Sequence, residues 1–256
     1  MQINVRYTAP DERLNLLKDY DWPLPDRNSR DHSAASLKAI SKIISCYLHS
    51  PSQCESKNIA QCRISANYFK FITLNLGSRI TPDLIRAAHL ASTVGTPRPG
   101  RFRIMNVAVD ARHGIDGFVT AKIDVQSHIE RLSAKIVNTP GAQKVMEMIY
   151  VISVIHPFED GNGRSLRTLV PICGSTRSQK HLYFWLFFCI FSKRKQKSLS
   201  RCLRILHEGS AESLNEFYLS AIQHFNAWND NTTPNKEESS LDKGLAAMSS
   251  INESLF

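Results

Sequence analysis

The sequence lacks the long apolar segments that mark membrane insertion and export. Its first residues, MQINVRYTAPDERL, contain no apolar core of a signal peptide. The intensely apolar run LYFWLFFCIF, residues 182–191, is about half the roughly 20 residues that a membrane helix needs. We therefore predict a buried helix at this run, no transmembrane segment and a cytoplasmic protein. Two possibilities stay open: export by a route without such a signal, and an interfacial membrane contact through the basic cluster SKRKQK that follows the run.

Metal-binding and common nucleotide-binding patterns are also missing. The six cysteines show neither a CxxC pair nor the spacing of a zinc site, so free, reduced thiols are expected. No GxxxxGK[ST] segment occurs, which excludes a Walker-type ATPase. A GxG begins at Gly161, but Leu166 stands where GxGxxG requires its third glycine, which argues against a dinucleotide-binding turn.

Acidic residues are outnumbered by basic ones. The chain has 32 lysines and arginines against 23 aspartates and glutamates, a formal net charge of +9. This excess favours anionic partners, namely ATP, an acidic protein face, nucleic acid or a membrane surface. We do not expect nucleic acid among them, because the basic cluster has no interleaved aromatic residues. With 256 residues and 42% hydrophobic content, the chain suits one domain with extensions.

Chemically active side chains are concentrated in HPFEDGNGRSLR, residues 156–167. The preceding residues 142–155 have apolar side chains at helical spacing, and Pro157 should end that helix near His156. Helical spacing resumes in SLRTLV after the glycines. The loop therefore opens a second helix, and the free N–H groups at a helix start bind anions, phosphate above all.

The acid and base groups of this loop suit phosphoryl or nucleotidyl transfer to a hydroxyl. His156 can be the general base, since an imidazole titrates near neutrality. Asp160, or as the second choice Glu159, can hold Mg2+ through a carboxylate oxygen while phosphates supply further ligands.

The remaining polar residues of the loop suit phosphate binding. The glycines let the backbone approach a phosphate, the amide adds a donor, and the arginines, one helical turn apart, can grip phosphate oxygens. The candidate ATP- and phosphate-binding residues are Gly161, Asn162, Gly163, Arg164 and Arg167.

This stretch resembles the signature of the Fic family, HxFx(D/E)GNGRxxR, and matches it at every specified position. Most characterised Fic proteins transfer AMP from ATP to a Ser, Thr or Tyr hydroxyl of a target protein. The resemblance implies that His156 deprotonates the target hydroxyl, that Asp160 binds Mg2+ and that Phe158 anchors the loop in the core. It further implies an anion hole at residues 161–163, with the two arginines on the outer phosphates.

The resemblance also implies a mainly α fold, a Fic or Fido helical bundle with a short β-hairpin flap over the active site. ITPDLIRAAH, residues 80–89, resembles the helix that precedes the flap, with Thr81 as N-cap and Pro82 at the first helical position. His89 in this helix is expected to be packed and hydrogen-bonded rather than a ligand. PGRFR, residues 99–103, fits the family's lead-in to the flap.

A hairpin is predicted at about residues 101–120, with arms at 103–109 and 118–120 joined through ARHGIDG. In Fic proteins this flap lays the target segment beside the histidine by strand pairing, which gives affinity through backbone bonds. Ala121 and Lys122 stand where a proline pair is often seen, which leaves the choice of target open. The candidate flap residues for target docking are Arg103, Ile104, Met105, Asn106 and Val107.

The chain divides into an extended N-terminal arm at residues 1–33, a Fic domain at 34–228 and a polar, disordered tail at 229–256. Pro171 and the polar CGSTRSQKH predict a break in the helix that follows the signature loop. Beyond the elements already named, helices are predicted at residues 34–48, 59–76, 124–137, 199–206 and 212–228.

Two alternatives to AMP transfer stay open. The fold tolerates other donors, so transfer of UMP, phosphate or phosphocholine is the alternative within enzymes, although the intact GNGR argues against the kinase-like Doc variant. The other alternative is a catalytically inactive binding module, in which the atypical segment 173–197 disturbs the domain. No (S/T)xxxE(G/N) inhibitory motif occurs, so activity is expected to be unrestrained or to be inhibited by a separate antitoxin-like protein.

Overall fold

The computed structural model describes residues 10–25, 68–93, 98–105, 107–108, 119–120, 124–138, 141–176 and 181–231. Several sequence predictions lie outside these residues: the helix at 34–48, residues 59–67 of the next helix, the loop of the hairpin and the tail beyond residue 231. The limits of the central domain stay a prediction.

The described residues are mainly helical, which confirms the predicted fold class at that level. A 3₁₀ helix, Leu17–Asp19, follows the first α-helix directly. The α-helices are α1 (Pro10–Leu16), α2 (residues 68–74), α3 (Pro82–Ser92), α4 (Val125–Lys135), α5 (Ala142–Ile155), α6 (Asn162–Gly174), α7 (Leu182–Arg194), α8 (Gln196–Glu208) and α9 (Glu212–Asn231).

Two short strands lie where the hairpin is predicted. β1 (Val107–Ala108) and β2 (Val119–Thr120) pair antiparallel, with Val107 opposite Thr120. The residues that join them lie outside the described part of the chain. A flap that covers the active site therefore stays a prediction.

Helix α5 is buried around most of its circumference, including two charged residues. The Lys144 ammonium donates to the Ser78 carbonyl at 2.9 Å, and the Glu147 carboxylate accepts the Val137 N–H at 2.9 Å. Buried charges need such hydrogen bonds to offset their lost hydration. These contacts fix α5 against the turn before α3 and the residues after α4. Because α6 packs against α3, α5 and α7, the signature loop connects two central helices.

The N-terminal residues depart from the sequence prediction. An extended arm at residues 1–33 is wrong for residues 10–19, which are helical. Leu17 is fully buried, and Arg13 Nε donates to the His207 carbonyl of α8 at 3.0 Å. Pro10 begins this short helical segment and Pro23 follows it, and its apolar residues Leu14 and Leu17 are buried in the core.

Helix α6 continues through Pro171 and ends at Gly174, and α7 begins at Leu182, so the predicted break lies in the polar segment after the proline. Proline has no N–H, which leaves the Arg167 carbonyl one turn earlier without its helical partner. The Cys189 thiol of α7 donates to that carbonyl at 3.3 Å. Burial raises the pKa of this thiol to about 12, so it stays protonated as a donor. A side chain from the next helix thus replaces the missing backbone hydrogen bond.

Replacing Cys189 by alanine is expected to lower the free energy of unfolding by about 1–3 kcal/mol, because the Arg167 carbonyl loses its donor. In a Pro171→Ala background the restored N–H can bond the same carbonyl, so the loss should be smaller. Urea unfolding of the four proteins measures the difference as a double-mutant cycle. Equal losses in the two backgrounds would mean that the thiol only fills space.

The apolar run at 182–191 lies within α7 and is buried along nearly its whole length, as predicted. Trp185 packs edge-on against Phe184 and Phe188, with ring centroids 4.8 and 5.6 Å apart. No helix in the described ranges combines the length and the apolar character needed to cross a membrane.

Two helix boundaries near the carboxyl end differ from the predictions. Helix α8 begins at Gln196, within the basic cluster, and α9 runs past the predicted end at residue 228 to Asn231. The cysteines of the described residues are free, as predicted, and buried: Cys173, Cys189 and Cys202.

Candidate active site

Helix α5 ends in a sharp elbow at His156, as predicted. The residue adopts a left-handed conformation with φ 49° and ψ 62°, which is uncommon outside glycine. Pro157 disfavours the helical conformation in the residue before it, so the chain turns at this point. The His156 N–H still donates to the Ile152 carbonyl at 3.0 Å, which keeps the elbow attached to the last turn of α5.

Asn162 closes the loop between the two helices. Its Oδ1 accepts the Phe158 N–H at 2.9 Å, and its Nδ2 donates to the Phe158 carbonyl at 2.7 Å. Phe158 is fully buried, as expected of an anchor. The amide thus holds the loop through its oxygen and one of its N–H groups, and phosphate binding by the side chain of Asn162 stays a prediction. The backbone N–H of Asn162, at the start of α6, can also donate to a phosphate oxygen.

His89 of α3 contacts the loop and supports it. As expected, its side chain is packed and hydrogen-bonded. Its Nε2 lies 2.9 Å from the Asp160 carbonyl, and its Nδ1 lies 2.8 Å from the N–H of Gly100 in the strap, our name for residues 98–105. Since the Gly100 N–H can only donate, Nδ1 is unprotonated and Nε2 donates to Asp160. The ring stacks on Phe158 with centroids 3.8 Å apart. This supporting role could not be predicted from the sequence, because the polar partners of His89 are backbone groups.

Gly161 is required by its conformation and by its neighbours. Its φ of 82° lies in the left-handed region, and a Cβ there would lie 2.4 Å from Thr93 Cγ2 and 3.0 Å from His89 Nε2. Its carbonyl accepts the Ser165 N–H at 2.9 Å, which begins the hydrogen bonding of α6. No side chain caps this helix start, so the first N–H groups of α6 can serve an anion.

Asp160 and Arg164 form an ion pair at the start of α6. Arg164 Nη2 donates to Asp160 Oδ2 at 2.7 Å, and the Gly161 N–H donates to Oδ1 at 2.6 Å. The Asp160 side chain is 64% exposed and can be reached from solvent. Glu159 pairs instead with Arg98 of the strap at 2.9 Å. Of the two carboxylates that the sequence proposes for Mg2+, Asp160 is therefore the better placed.

The side chains at the start of α6 fit Mg2+ held jointly by the protein and a polyphosphate. Such ions take one or two carboxylates and complete their shell with water and phosphate oxygens. Asp160 supplies an exposed carboxylate beside Arg164 and an uncapped helix start, where phosphate oxygens would also bind. Among the residues that the structure describes, no cluster of three His, Cys, Asp or Glu side chains would hold a metal ion without a substrate.

Arg167 is half-buried, and its side chain lies near Gly163 at the start of α6. Its Nε is buried without a hydrogen-bond partner in the described part of the chain, and burial lowers the pKa of the guanidinium. A Cβ on Gly163 would lie 3.4 Å from Arg167 Nη1, so the end of the side chain reaches the glycines of the loop. A half-buried cation whose Nε–H is buried and unpaired favours an anion beside it.

Burial and the charge of Arg103 lower the pKa of His156 to about 4. The Ser153 carbonyl and the Asp160 carboxylate raise this pKa, without restoring the usual value. The imidazole is therefore neutral near pH 7 and has a nitrogen lone pair that can accept a proton.

The predicted docking residues occupy different environments. Arg103 is 3% exposed, with its guanidinium under the elbow, so its side chain does not face a docking partner. Ile104 and Met105 are 65% and 64% exposed and are accessible to a partner. Of the others, Asn106 lies outside the described residues and Val107 lies in β1. Target docking at this segment stays a prediction.

The chain is similar to known proteins over this region and in its fold. Residues 79–172, which include α3, α5 and most of α6, match the Fic/DOC family. The chain also resembles the crystal structure of a Fic family protein from Desulfovibrio desulfuricans G20, with a TM-score of 0.56 over 96% of this chain and 86% of that chain. The two sequences are 16% identical, so this likeness concerns the fold. No curated protein matches the sequence significantly.

Proposed function

We propose that the chain is a protein adenylyltransferase, which transfers AMP from ATP to a Ser, Thr or Tyr hydroxyl of a target protein. The observation that carries this proposal is the neutral imidazole of His156 in one loop with the uncapped start of α6, Asp160 and Arg164. The likeness of residues 79–172 to the Fic/DOC family supports the coarser class, transfer of a nucleotide or another group onto proteins.

His156 acts as the general base. It takes up the proton of the target hydroxyl while the hydroxyl oxygen forms a bond to the α-phosphorus of ATP. The bond from the α-phosphorus to the oxygen that bridges to the β-phosphate breaks, and pyrophosphate leaves with that electron pair. The imidazolium then returns its proton to solvent. A positioned base contributes about 10²–10⁴-fold to the rate of such a step.

The start of α6 holds the phosphates. Its uncapped N–H groups and the positive end of its dipole attract phosphate oxygens, and the guanidinium groups of Arg164 and Arg167 bind the outer ones. Asp160 would hold Mg2+, which supplies charge neutralisation on the phosphates when bound. Arg164 then exchanges its bond to Asp160 for phosphate oxygens. These groups act by positioning the phosphates of ATP and by neutralising their negative charge.

The target segment adds a strand beside residues 103–107, so that backbone hydrogen bonds place its hydroxyl near His156. Ile104 and Met105 offer exposed apolar side chains to its neighbours. Since the sequence has no (S/T)xxxE(G/N) motif, restraint of the activity would come from a separate inhibitory protein of the antitoxin kind.

Transfer of radioactive label tests this function. The purified protein is incubated with Mg2+, a cell lysate and ATP labelled at either the α- or the γ-phosphate. AMP transfer predicts protein label from α-labelled ATP and none from γ-labelled ATP. Label from the γ-phosphate alone would mean a kinase-like reaction, and no label from either would contradict the use of ATP as donor.

The pH dependence of transfer should reflect the lowered pKa of His156. The base must be neutral to accept a proton, so the rate should hold until the pH comes within about one unit of the pKa, which is about 4, and then fall. Initial rates measured from acid to neutral pH, with recovery checked after return to pH 7, give this profile. A fall centred near the ordinary imidazole value of 6.5 would contradict the buried, positively charged surroundings of His156.

A further inference from the structure

Arg103 is hydrogen-bonded to the backbone of the elbow at His156. Its Nε donates to the His156 carbonyl at 2.8 Å, and its Nη2 donates to the Ile155 carbonyl at 3.1 Å. Its Nη1 donates to the Met105 carbonyl of the strap at 2.7 Å. The backbone N–H of Arg103 donates in addition to the Pro157 carbonyl at 2.8 Å. One residue therefore contacts the chain before, at and after the elbow.

These bonds use the particular geometry of an arginine. The carbonyls at the end of a helix have no helical donors, and the negative end of the helix dipole favours a cation there. The guanidinium presents several N–H groups in one rigid plane, whereas a lysine ammonium is a single compact group on a flexible stem. A buried cation is stable only when such hydrogen bonds offset its lost hydration. These hydrogen bonds therefore hold the guanidinium in one orientation, and they hold the backbone at His156 in one conformation.

We propose that Arg103 is a positioning residue for the transfer reaction. It fixes the left-handed backbone at His156, and through the Met105 carbonyl it fixes the strap two residues before β1. The base and the strand on which the target docks are thus placed by the same guanidinium. This inference rests on the proposed function.

Among the residues that the structure describes, the other contacts of the strap with the loop and with α3 do not reach the histidine. Gly100 is bonded to His89 of α3, Phe102 lies with its ring centroid 5.4 Å from that of Phe158, and Arg98 is paired with Glu159 on a partly exposed surface. They hold the first part of the strap against the loop. Within the described part of the chain, Arg103 links the strap to the backbone of His156.

Two substitutions separate the geometry of Arg103 from its charge. Arg103→Lys keeps the positive charge and the aliphatic stem but loses the planar guanidinium and its several N–H donors. Arg103→Gln loses the charge. The charged groups that act on the imidazole are Arg103 of the strap and Asp160 of the loop, and they act in opposite directions. The matched control is Arg101→Lys, because Arg101 lies in the same strap and is exposed.

Steady-state kinetics with α-labelled ATP and a purified target give the first test. Arg103→Lys should lower kcat about tenfold to 100-fold, as expected for a displaced catalytic group, and raise KM for the target. KM for ATP should change little, because the hydrogen bonds described above join Arg103 to the elbow and the strap, whereas the phosphates bind at the start of α6. Arg101→Lys should match the wild type. A folded Arg103→Lys variant with wild-type kcat and target KM would overturn the proposal.

NMR of the His156 ring gives a second test that needs no activity. Arg103→Gln should raise the pKa of His156, and Arg103→Lys should shift the ring resonances while leaving the pKa low. Spectra of both variants that superimpose on the wild type would overturn the proposal. Circular dichroism first establishes folding, and Arg103→Lys, the milder change, suffices if Arg103→Gln does not fold. Should the wild type transfer no label, the proposed function fails, but these spectra still decide the role of Arg103.

Discussion

Replacing His156 by asparagine is expected to lower the rate of AMP transfer about 100-fold or more, because the amide cannot take up the proton of the target hydroxyl. Asparagine is the suitable replacement, since residue 156 has a φ of 49°, a conformation that asparagine adopts more readily than alanine does. Initial rates with α-labelled ATP and a lysate target measure the loss.

Nucleotide binding separates a chemical loss at His156 from a folding loss. With Mg2+ present, ATP should raise the melting temperature of the His156→Asn variant as much as that of the wild type, since the imidazole does not hold the phosphates. A variant that binds ATP and still transfers AMP at nearly the wild-type rate would remove His156 from the role of base.

Replacing Gly161 by alanine is expected to lower the free energy of unfolding by at least about 1–3 kcal/mol, because its left-handed backbone disfavours any side chain. The added Cβ would also lie 2.4 Å from Thr93 Cγ2 and 3.0 Å from His89 Nε2, so α3 would have to move away from the loop. The start of α6 would be displaced with the loop. We therefore expect the stabilisation by ATP and Mg2+ to be lost as well.

Gly163 provides the matched control for this substitution. A Cβ there would meet only the flexible end of Arg167, at 3.4 Å, and the residue is already helical. Gly163→Ala should leave the free energy of unfolding unchanged or raise it by up to about 1 kcal/mol, the helix propensity difference. Urea unfolding compares the two variants. Equal stability of Gly161→Ala and Gly163→Ala would contradict the close contact between loop and α3.

The position of the site could be predicted from the sequence because neighbouring residues mark it. Pro157 ends α5 at His156 through a steric rule between adjacent residues. Thr81 caps α3 by accepting the Leu84 N–H at 3.1 Å, which is a contact three residues away. Both effects join residues within one helical turn of each other, so they can be predicted from the sequence without knowledge of the fold.

The supports of the site could not be predicted, because they join side chains to backbone groups far away in the chain. Arg103 and His89 both bond carbonyls of the loop, and every residue has a carbonyl, so nothing in the sequence identifies the partner. The Cys189 thiol acts in the same way, because it donates to the Arg167 carbonyl that Pro171 leaves without a helical partner in α6. Side chains that donate hydrogen bonds to distant backbone carbonyls are thus the part of the site that only the folded structure reveals.

Mass spectrometry of a modified target peptide tests the central claim, AMP transfer by this loop to a protein hydroxyl, most directly. The target found by α-label transfer is isolated after incubation with Mg2+ and unlabelled ATP, with the wild type and with His156→Asn in parallel. We predict the mass of one adenylyl group on a Ser, Thr or Tyr side chain with the wild type and none with the variant. A phosphate group alone on the peptide, or an adenylyl group that persists with the variant, would contradict the claim.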